Sequence, residues 1–235
     1  MTIDNLLTHS GGTSDFFGPE YQAHREELRD LKDYVPLFGK RPLEFEPGSK
    51  WEYSNYGFLL LGLVVEAASG QSYYDYVREH IYKIAGMTSS DSLPERTPVP
   101  RRSVGYTKSG GGTLRPNTDT LPPRGTSAGG GYSTVKDLLA FANALLTHKL
   151  LDAHYTEILT SGKVDAEWGG KYAYGFMEDR NSGARWFGHG GGAPGMNGML
   201  RIYPTSGYVV AVLANLDPPS AQEIAVFIGD RLPPK

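Results

Sequence analysis

Apolar residues repeat along this chain with a helical period before residue 170 and with a strand period after it. The stretch Asn55–Ser69 is apolar on most of its sides and is followed by Gly70, which is typical of a largely buried helix with a glycine stop. Ser133–Leu146 and Ala153–Thr160 carry their apolar residues at helical spacing. Two further helices are predicted, one over Ser72–Lys83 and a surface helix over Tyr21–Lys32.

After Gly170, short segments rich in aromatic and β-branched residues are separated by turn residues and indicate strands. A final amphipathic helix is predicted from Pro218 to about Leu232. The pattern predicts an α+β fold in which three antiparallel strands are backed by the C-terminal helix, next to a helical region. We treat residues 1–235 as one domain, with helices and loops over about 1–170 and strands and a helix over about 171–235. The strand segments are Tyr172–Met177, Arg185–His189, Met199–Tyr203 and Tyr208–Asn215.

Composition removes several classes of function. The 235 residues include 23 Lys and Arg against 26 Asp and Glu, with no block of like charge, which disfavours binding to nucleic acid or to an anionic membrane. The absence of cysteine excludes disulfides and thiolate chemistry. No apolar run is long enough to span a membrane. The histidines lack the spacing of metal ligands and no phosphate or dinucleotide loop is found, so we expect no cofactor and no metal.

Three groups of residues could carry chemistry, and each has a structural alternative. Tyr53 and Asn55 flank the start of an apolar helix, where a packed tyrosine and an asparagine cap are common. A phenol with a pKa of about 10 acts as a base only if nearby cations lower that pKa. His189 precedes three glycines at the end of a strand, which could equally be a turn that needs positive φ. Ser133 and Lys136 form a Ser-x-x-Lys sequence, which could equally be a helix N-cap followed by a solvated lysine.

Five ordered segments spread over the whole chain resemble one family. Together they look like the serine hydrolase superfamily that contains the class C β-lactamases, DD-peptidases and esterases. The resemblance implies a β-lactamase/transpeptidase-like fold, with a sheet flanked by helices and a helical subdomain across the cleft. The segments are Leu6–Gly12, Glu46–Gly48, Tyr53–Gly57, Gly129–Ser133 and Gly188–Gly195.

The resemblance also implies roles for individual residues. Tyr53 would pass a proton between the nucleophile and the leaving group, and Asn55 would bind the substrate carbonyl. His189 would hold a substrate carboxylate or tune the tyrosine. Gly191 would let the substrate backbone lie against the strand, and the amide of Gly192 would be one of two oxyanion donors. Histidine rather than lysine at this motif favours an esterase or a peptidase over a dedicated lactamase.

The departure from the family is at the front of the chain. Family members carry Ser-x-x-Lys on a helix that precedes the segment matching Leu6–Gly12, and no such helix precedes it here. Ser133 lies where the family has a structural helix start, so we interpret it as an N-cap and not as the nucleophile. We therefore predict that the N-terminal part of the fold, with its nucleophile, is absent from residues 1–235.

Two functions remain open from the sequence. The chain could be a hydrolase of amide, lactam or ester substrates whose nucleophile lies in another segment, or an inactive domain that serves as a binding module. For partners we expect a small acyl substrate such as a β-lactam, an ester or a D-alanyl peptide, together with self-association or docking of the absent N-terminal segment. The compartment is periplasmic or secreted if the family's precursor pattern holds, and cytoplasmic otherwise, since Met1–Asp4 does not begin a signal peptide.

Overall fold

The structure is a computed structural model that describes residues 1–108, 112–181 and 183–233. Helices dominate the chain as far as residue 160, and a sheet with one last helix follows. Short 3₁₀ segments at Arg25–Glu27 and Leu31–Tyr34 and a π turn at Arg78–Tyr82 interrupt the helical part. The α-helices are α1 (Ile3–Leu7), α2 (Pro19–His24), α3 (Val35–Phe38), α4 (Asn55–Ser69), α5 (Tyr73–Val77), α6 (Lys83–Ala85), α7 (Val135–Leu146), α8 (Ala153–Thr160) and α9 (Ser220–Gly229).

The strands form a small hairpin and one antiparallel sheet of six strands, which are hydrogen-bonded in chain order. The hairpin lies inside the long loop between α6 and α7. The α+β class is thus confirmed. The six strands of the sheet exceed both the four predicted strand segments and the predicted sheet of three antiparallel strands, because strands of two residues carry no detectable period. The strands are β1 (Tyr106–Lys108) and β2 (Leu114–Pro116) in the hairpin, then β3 (Val164–Asp165), β4 (Lys171–Tyr172), β5 (Met177–Asn181), β6 (Ala184–Ala193), β7 (Met196–Tyr203) and β8 (Tyr208–Ala214) in the sheet.

The clearest helices begin and end where the periodicity places them. Helices α4 and α8 have the predicted bounds. Helix α4 ends at Gly70, whose φ of 72° is the left-handed conformation that glycine adopts without a Cβ penalty. The last helix is shorter than predicted, Ser220–Gly229 instead of 218 to about 232. The predicted helix over 72–83 is observed, capped by Ser72, but a π turn runs through its second half.

Two predictions in the helical region were wrong. The segment 21–32 is not a surface helix: Tyr21, Leu28 and Leu31 are each no more than 2% exposed. They pack in one aromatic cluster with Phe16 and Tyr34, and this packing overrides the helical period. The N-cap of α7 is not Ser133 either. Thr134 accepts the hydrogen bond from the backbone N–H of Asp137, while the Ser133 hydroxyl bonds to Ser90.

Helices cover both faces of the sheet, and successive side chains of β7 point to one face and then the other. Met199 and Tyr203 face α9, where they pack with Trp186 and Ala225. Leu200 and Ile202 face α7, where they pack with Leu145. Strand β8 forms one edge of the six-stranded sheet and carries no charged residue.

Apolar surface is exposed beside that edge. Leu213 on β8 is 43% exposed, and Phe227 on α9 is 58% exposed. Along α4, by contrast, Leu59 and Gly62 are buried and Val64 is 38% exposed. These two side chains of β8 and α9 are therefore more exposed than Val64 on α4. None of the helices in the described ranges is long and apolar enough to cross a membrane.

Candidate active site

The start of α4 is fixed by a serine that the sequence analysis left without a role. Ser54 is the N-cap: its hydroxyl accepts from the Gly57 N–H at 3.0 Å and donates to the Ser14 carbonyl at 3.1 Å. Its own N–H donates to Nδ1 of His9 at 3.1 Å. The alternative in which Asn55 caps the helix is therefore wrong. With Ser54 turned into the cap, Tyr53 and Asn55 on either side of it line the cleft.

One cleft brings the predicted site residues together. It has a volume of about 2130 Å³ and runs between the sheet, the start of α4 and the long loop. The rings of Tyr53 and His189 are 6.3 Å apart, centroid to centroid, although the two residues are far apart in sequence. The predicted residues that line the cleft are Tyr53, Asn55, His189, Gly191 and Gly192.

Strand β6 offers a free edge inside this cleft. Its partner β5 pairs with it only as far as Gly188, opposite Met177, whereas β7 continues to pair as far as Ala193. From His189 to Ala193, no strand of the described residues pairs with the β5 side of β6. A Cβ added to Gly191 would meet nothing within 4 Å. An extended acyl chain could thus add to this edge as a further strand.

His189 is engaged at both ring nitrogens. Nδ1 lies 2.6 Å from the Gly190 carbonyl oxygen, which can only accept, so Nδ1 carries the proton. Nε2 lies 3.1 Å from the Tyr172 hydroxyl, and burial raises the pKa of Tyr172, so the phenol donates. Burial lowers the pKa of His189. Both imidazole nitrogens thus have partners, and the lowered pKa favours the neutral form of His189. That His189 holds a substrate carboxylate or tunes the tyrosine stays a prediction.

Tyr53 is flanked by aromatic rings and an acid. Its ring lies 4.0 Å from that of His9, and part of it faces the cleft. Partial burial, and then the nearby Asp15 carboxylate, raise the pKa of the Tyr53 phenol. A base would need the opposite shift. In this arrangement the Tyr53 phenol therefore keeps its proton at neutral pH.

Asp15 is a site residue that the sequence analysis missed. Its Oδ2 accepts from the Asn55 side-chain amide at 2.5 Å and from the Asn55 backbone N–H at 3.3 Å. This contact fixes the amide orientation, with Nδ2 on Asp15. Asp15 stands in no motif, and it reaches Asn55 across 40 positions of sequence, so no local pattern could have indicated it.

Two buried contacts hold the glycine strand in place. Asn197 donates from Nδ2 to the Gly191 carbonyl at 2.9 Å, and its Oδ1 accepts from the Ala221 N–H at 2.6 Å. The strand that presents Gly191 and Gly192 is thereby tied to the first turn of α9. A polar residue between apolar neighbours in a strand is the sequence signal that could have indicated Asn197.

Ser133 and Lys136 do not form a nucleophile pair. Ser133 lies before the N-cap, so the two residues are not one helical turn apart on α7. The Ser133 hydroxyl is 2.7 Å from that of Ser90, which in turn donates to Asp137. Lys136 is exposed, and no hydrogen bond of the described residues joins it to Ser133.

Comparison with known proteins identifies the family. The sequence model of the family described as Beta-lactamase matches residues 1–232. The chain belongs to this family of serine hydrolases. A penicillin-binding protein from Bacillus halodurans has a solved structure with a TM-score of 0.90 and 34% identity, over 97% of this chain and 73% of that one. A D-stereospecific amidohydrolase from Streptomyces sp. has a TM-score of 0.84 and 27% identity, over 97% and 72%.

Curated relatives are longer than the part that matches. Two Bacillus subtilis proteins named as penicillin-binding proteins are 28% and 27% identical over 91% and 97% of this chain, but over 50% and 54% of their own lengths. The chain therefore spans about half the length of these relatives. The human mitochondrial serine beta-lactamase-like protein LACTB is 35% identical over 52% of this chain. The predicted β-lactamase/transpeptidase-like fold is confirmed by these similarities.

Proposed function

We propose that residues 1–235 supply the tyrosine, asparagine and glycine-strand side of a serine acyl-transfer site for amide, lactam or ester substrates. In this proposal the nucleophile comes from a polypeptide segment outside these residues. The observation that carries it is the convergence of Tyr53, Asn55 and the free β6 edge at His189–Gly192 on one cleft. The names of the relatives, penicillin-binding protein and D-stereospecific amidohydrolase, favour acyl transfer at an amide bond.

Each part of the site has a task in this proposal. The N–H groups of the glycine strand would stabilise the negative charge on the attacked oxygen, as an oxyanion hole does. Tyr53 would carry the proton between nucleophile and leaving group, once a cation beside it lowers its pKa. Asn55, oriented by Asp15, would position the acyl group. In this family, the serine of a Ser-x-x-Lys sequence supplies the nucleophile and its lysine supplies the cation.

The isolated chain is expected to show little or no turnover and no covalent adduct. The reason is that binding and oxyanion groups without a nucleophile leave only residual catalysis. The measurement is the intact mass of the chain after incubation with a fluorophosphonate, together with hydrolysis of nitrocefin and of a p-nitrophenyl ester. An adduct that disappears in Ser133→Ala would contradict both the proposal and the interpretation of Ser133.

An inactive binding module is the second candidate function. The raised pKa of Tyr53 favours it, because this phenol is a poor base in the chain by itself. In that case acyl ligands bind in the cleft and are released unchanged.

We further propose that the β8 edge and the exposed apolar residues of α9 are where the chain self-associates or docks a further segment. A relative from Pyrococcus abyssi, described as an octameric penicillin-binding protein homologue, is 26% identical.

A further inference from the structure

The charge of the groups around the cleft determines which acyl substrates fit it, and this inference rests on the proposed function. A substrate with a carboxylate next to its scissile bond needs a cation or free N–H donors at that position, because an ionised group without partners is costly to bury. The group placed to provide this at the β6 edge is His189. Both of its nitrogens already have partners, Tyr172 and the Gly190 carbonyl, and neither is free for a ligand anion.

The opposite wall of the site carries a negative charge. Asp15 lies directly behind Asn55, with its Oδ2 2.5 Å from the amide nitrogen. An anionic ligand at Asn55 would therefore meet the field of a carboxylate. A neutral or amine-bearing ligand would not be repelled there.

The cations that line the cleft are five arginines, and none of them belongs to the β6 edge or to the start of α4. Each arginine that lines the cleft bonds to a carboxylate or to a backbone carbonyl. Arg102 keeps one N–H without a partner, on Nη1, but that atom is enclosed by protein. The pairs are Arg25 with Glu26 and Leu121, Arg29 with the Glu26 carbonyl, Arg96 with Glu26, Arg102 with Glu95, and Arg124 with Ser92 and Asp30.

We propose that this site selects acyl substrates whose leaving side is uncharged, as in primary amides and simple esters, over substrates that carry a carboxylate beside the scissile bond. The glycine edge and Asn55 offer uncharged hydrogen-bonding groups that match such a substrate. In the proposed function the N–H groups of the glycine edge serve the attacked oxygen. A carboxylate on the leaving side would therefore have to displace Tyr172 from His189 or remain without a partner among the described residues. The inference reverses the sequence-based expectation that His189 attracts acids.

A matched ligand pair tests this directly. N-acetyl-D-alanyl-D-alaninamide and N-acetyl-D-alanyl-D-alanine differ only in the carboxamide or carboxylate on the leaving side of the scissile amide bond. At pH 7.5, titration of the chain with each ligand, followed by amide shifts in NMR spectra, should perturb residues 53–55 and 189–192. We expect the acid to bind about tenfold more weakly than the amide, the order expected when one charged group lacks a partner.

A charge variant and its control make the test specific. His189→Lys places an ammonium at the edge and should shift the preference toward the acid. His154→Lys adds the same charge on α8, outside the residues that line the cleft, and should leave the ratio of the two affinities unchanged. An acid that binds the unaltered chain as tightly as the amide, with perturbations at 189–192, would overturn the inference and leave the proposed function standing. If neither ligand perturbs the site, the proposed function fails, and the inference fails with it.

Discussion

Between pH 6.5 and pH 4, the free energy of unfolding should fall about 3 kcal/mol further for the chain with His9 than for the His9→Asn variant. The pKa of His9 is lowered from 6.5 to about 3, first by burial and then by His189. Below pH 6.5 the unfolded chain takes up a proton at this residue that the folded chain does not. Stability is therefore lost as the pH falls from 6.5 toward 3, and above pH 6.5 the residue contributes no pH dependence.

The contacts of His9 explain why its imidazole stays neutral in the folded chain. The side chain is 2% exposed, and its ring lies 4.7 Å from that of Phe58 and 4.6 Å from that of Tyr172. Its Nδ1 accepts the Ser54 N–H, and a protonated imidazole could not accept there. The backbone φ of His9 is 55°, a left-handed conformation that asparagine tolerates better than most residues. Asparagine can therefore replace it with little backbone strain.

Urea denaturation of both proteins at several pH values measures the effect. Glu178 and Asp217 have lowered pKa values and also cost stability in acid, but they are present in both proteins and cancel in the difference. Parallel stability curves for the two proteins between pH 6.5 and pH 4 would show that His9 takes up its proton in the folded state.

Gly188→Ala should destabilise the chain by about 3 kcal/mol or more, at or above the upper end for overpacked sites. Gly188 is buried in the middle of β6, between Met177 on β5 and Arg201 on β7. A Cβ at this position would overlap the carbonyl oxygen of Leu200. That atom is backbone inside a paired strand, so the clash cannot be relieved by rotating a side chain.

Gly191→Ala is the matched control for this substitution. It lies on the same strand, and an added Cβ meets no atom within 4 Å. We expect its stability to stay within about 0.5 kcal/mol of the unaltered chain, as for other exposed positions. Thermal and urea unfolding of both variants give the comparison. Equal stabilities for the two variants would mean that β7 gives way at Leu200 and that the sheet is less rigid than its pairing indicates.

The fold could be predicted where local signals act alone. Helix α4 carries a continuous apolar pattern between a serine cap and Gly70, so its bounds follow from sequence. Strands β3 and β4 have two residues each and exist only because a neighbouring strand pairs with them. The cap of α7 was misplaced because Ser133 and Thr134 are adjacent and equally suitable. Only the contact of Ser133 with Ser90 decides between them.

The sequence indicated residues that share one cleft, but it did not indicate the contacts around them. The ordered motifs indicated Tyr53, Asn55 and His189, and the structure places all three at one cleft. The orientation of Asn55 and the tautomer of His189 depend on partners that are remote in sequence. Asp15 orients Asn55, and Tyr172 occupies Nε2 of His189. Such contacts arise from tertiary packing, and no spacing rule reports them.

The most direct test of the acyl-transfer account is a fusion that restores a nucleophile. In it, a segment that carries Ser-x-x-Lys from a member of this family is placed ahead of Thr2, and acylation by a p-nitrophenyl ester is followed by intact mass. The account predicts an adduct on the added Ser-x-x-Lys serine, formed about 100-fold or more slowly in Tyr53→Phe. Tyr155→Phe, at a residue 57% exposed on α8, should acylate at the unaltered rate. Acylation that is equally fast with and without the Tyr53 hydroxyl would contradict the account.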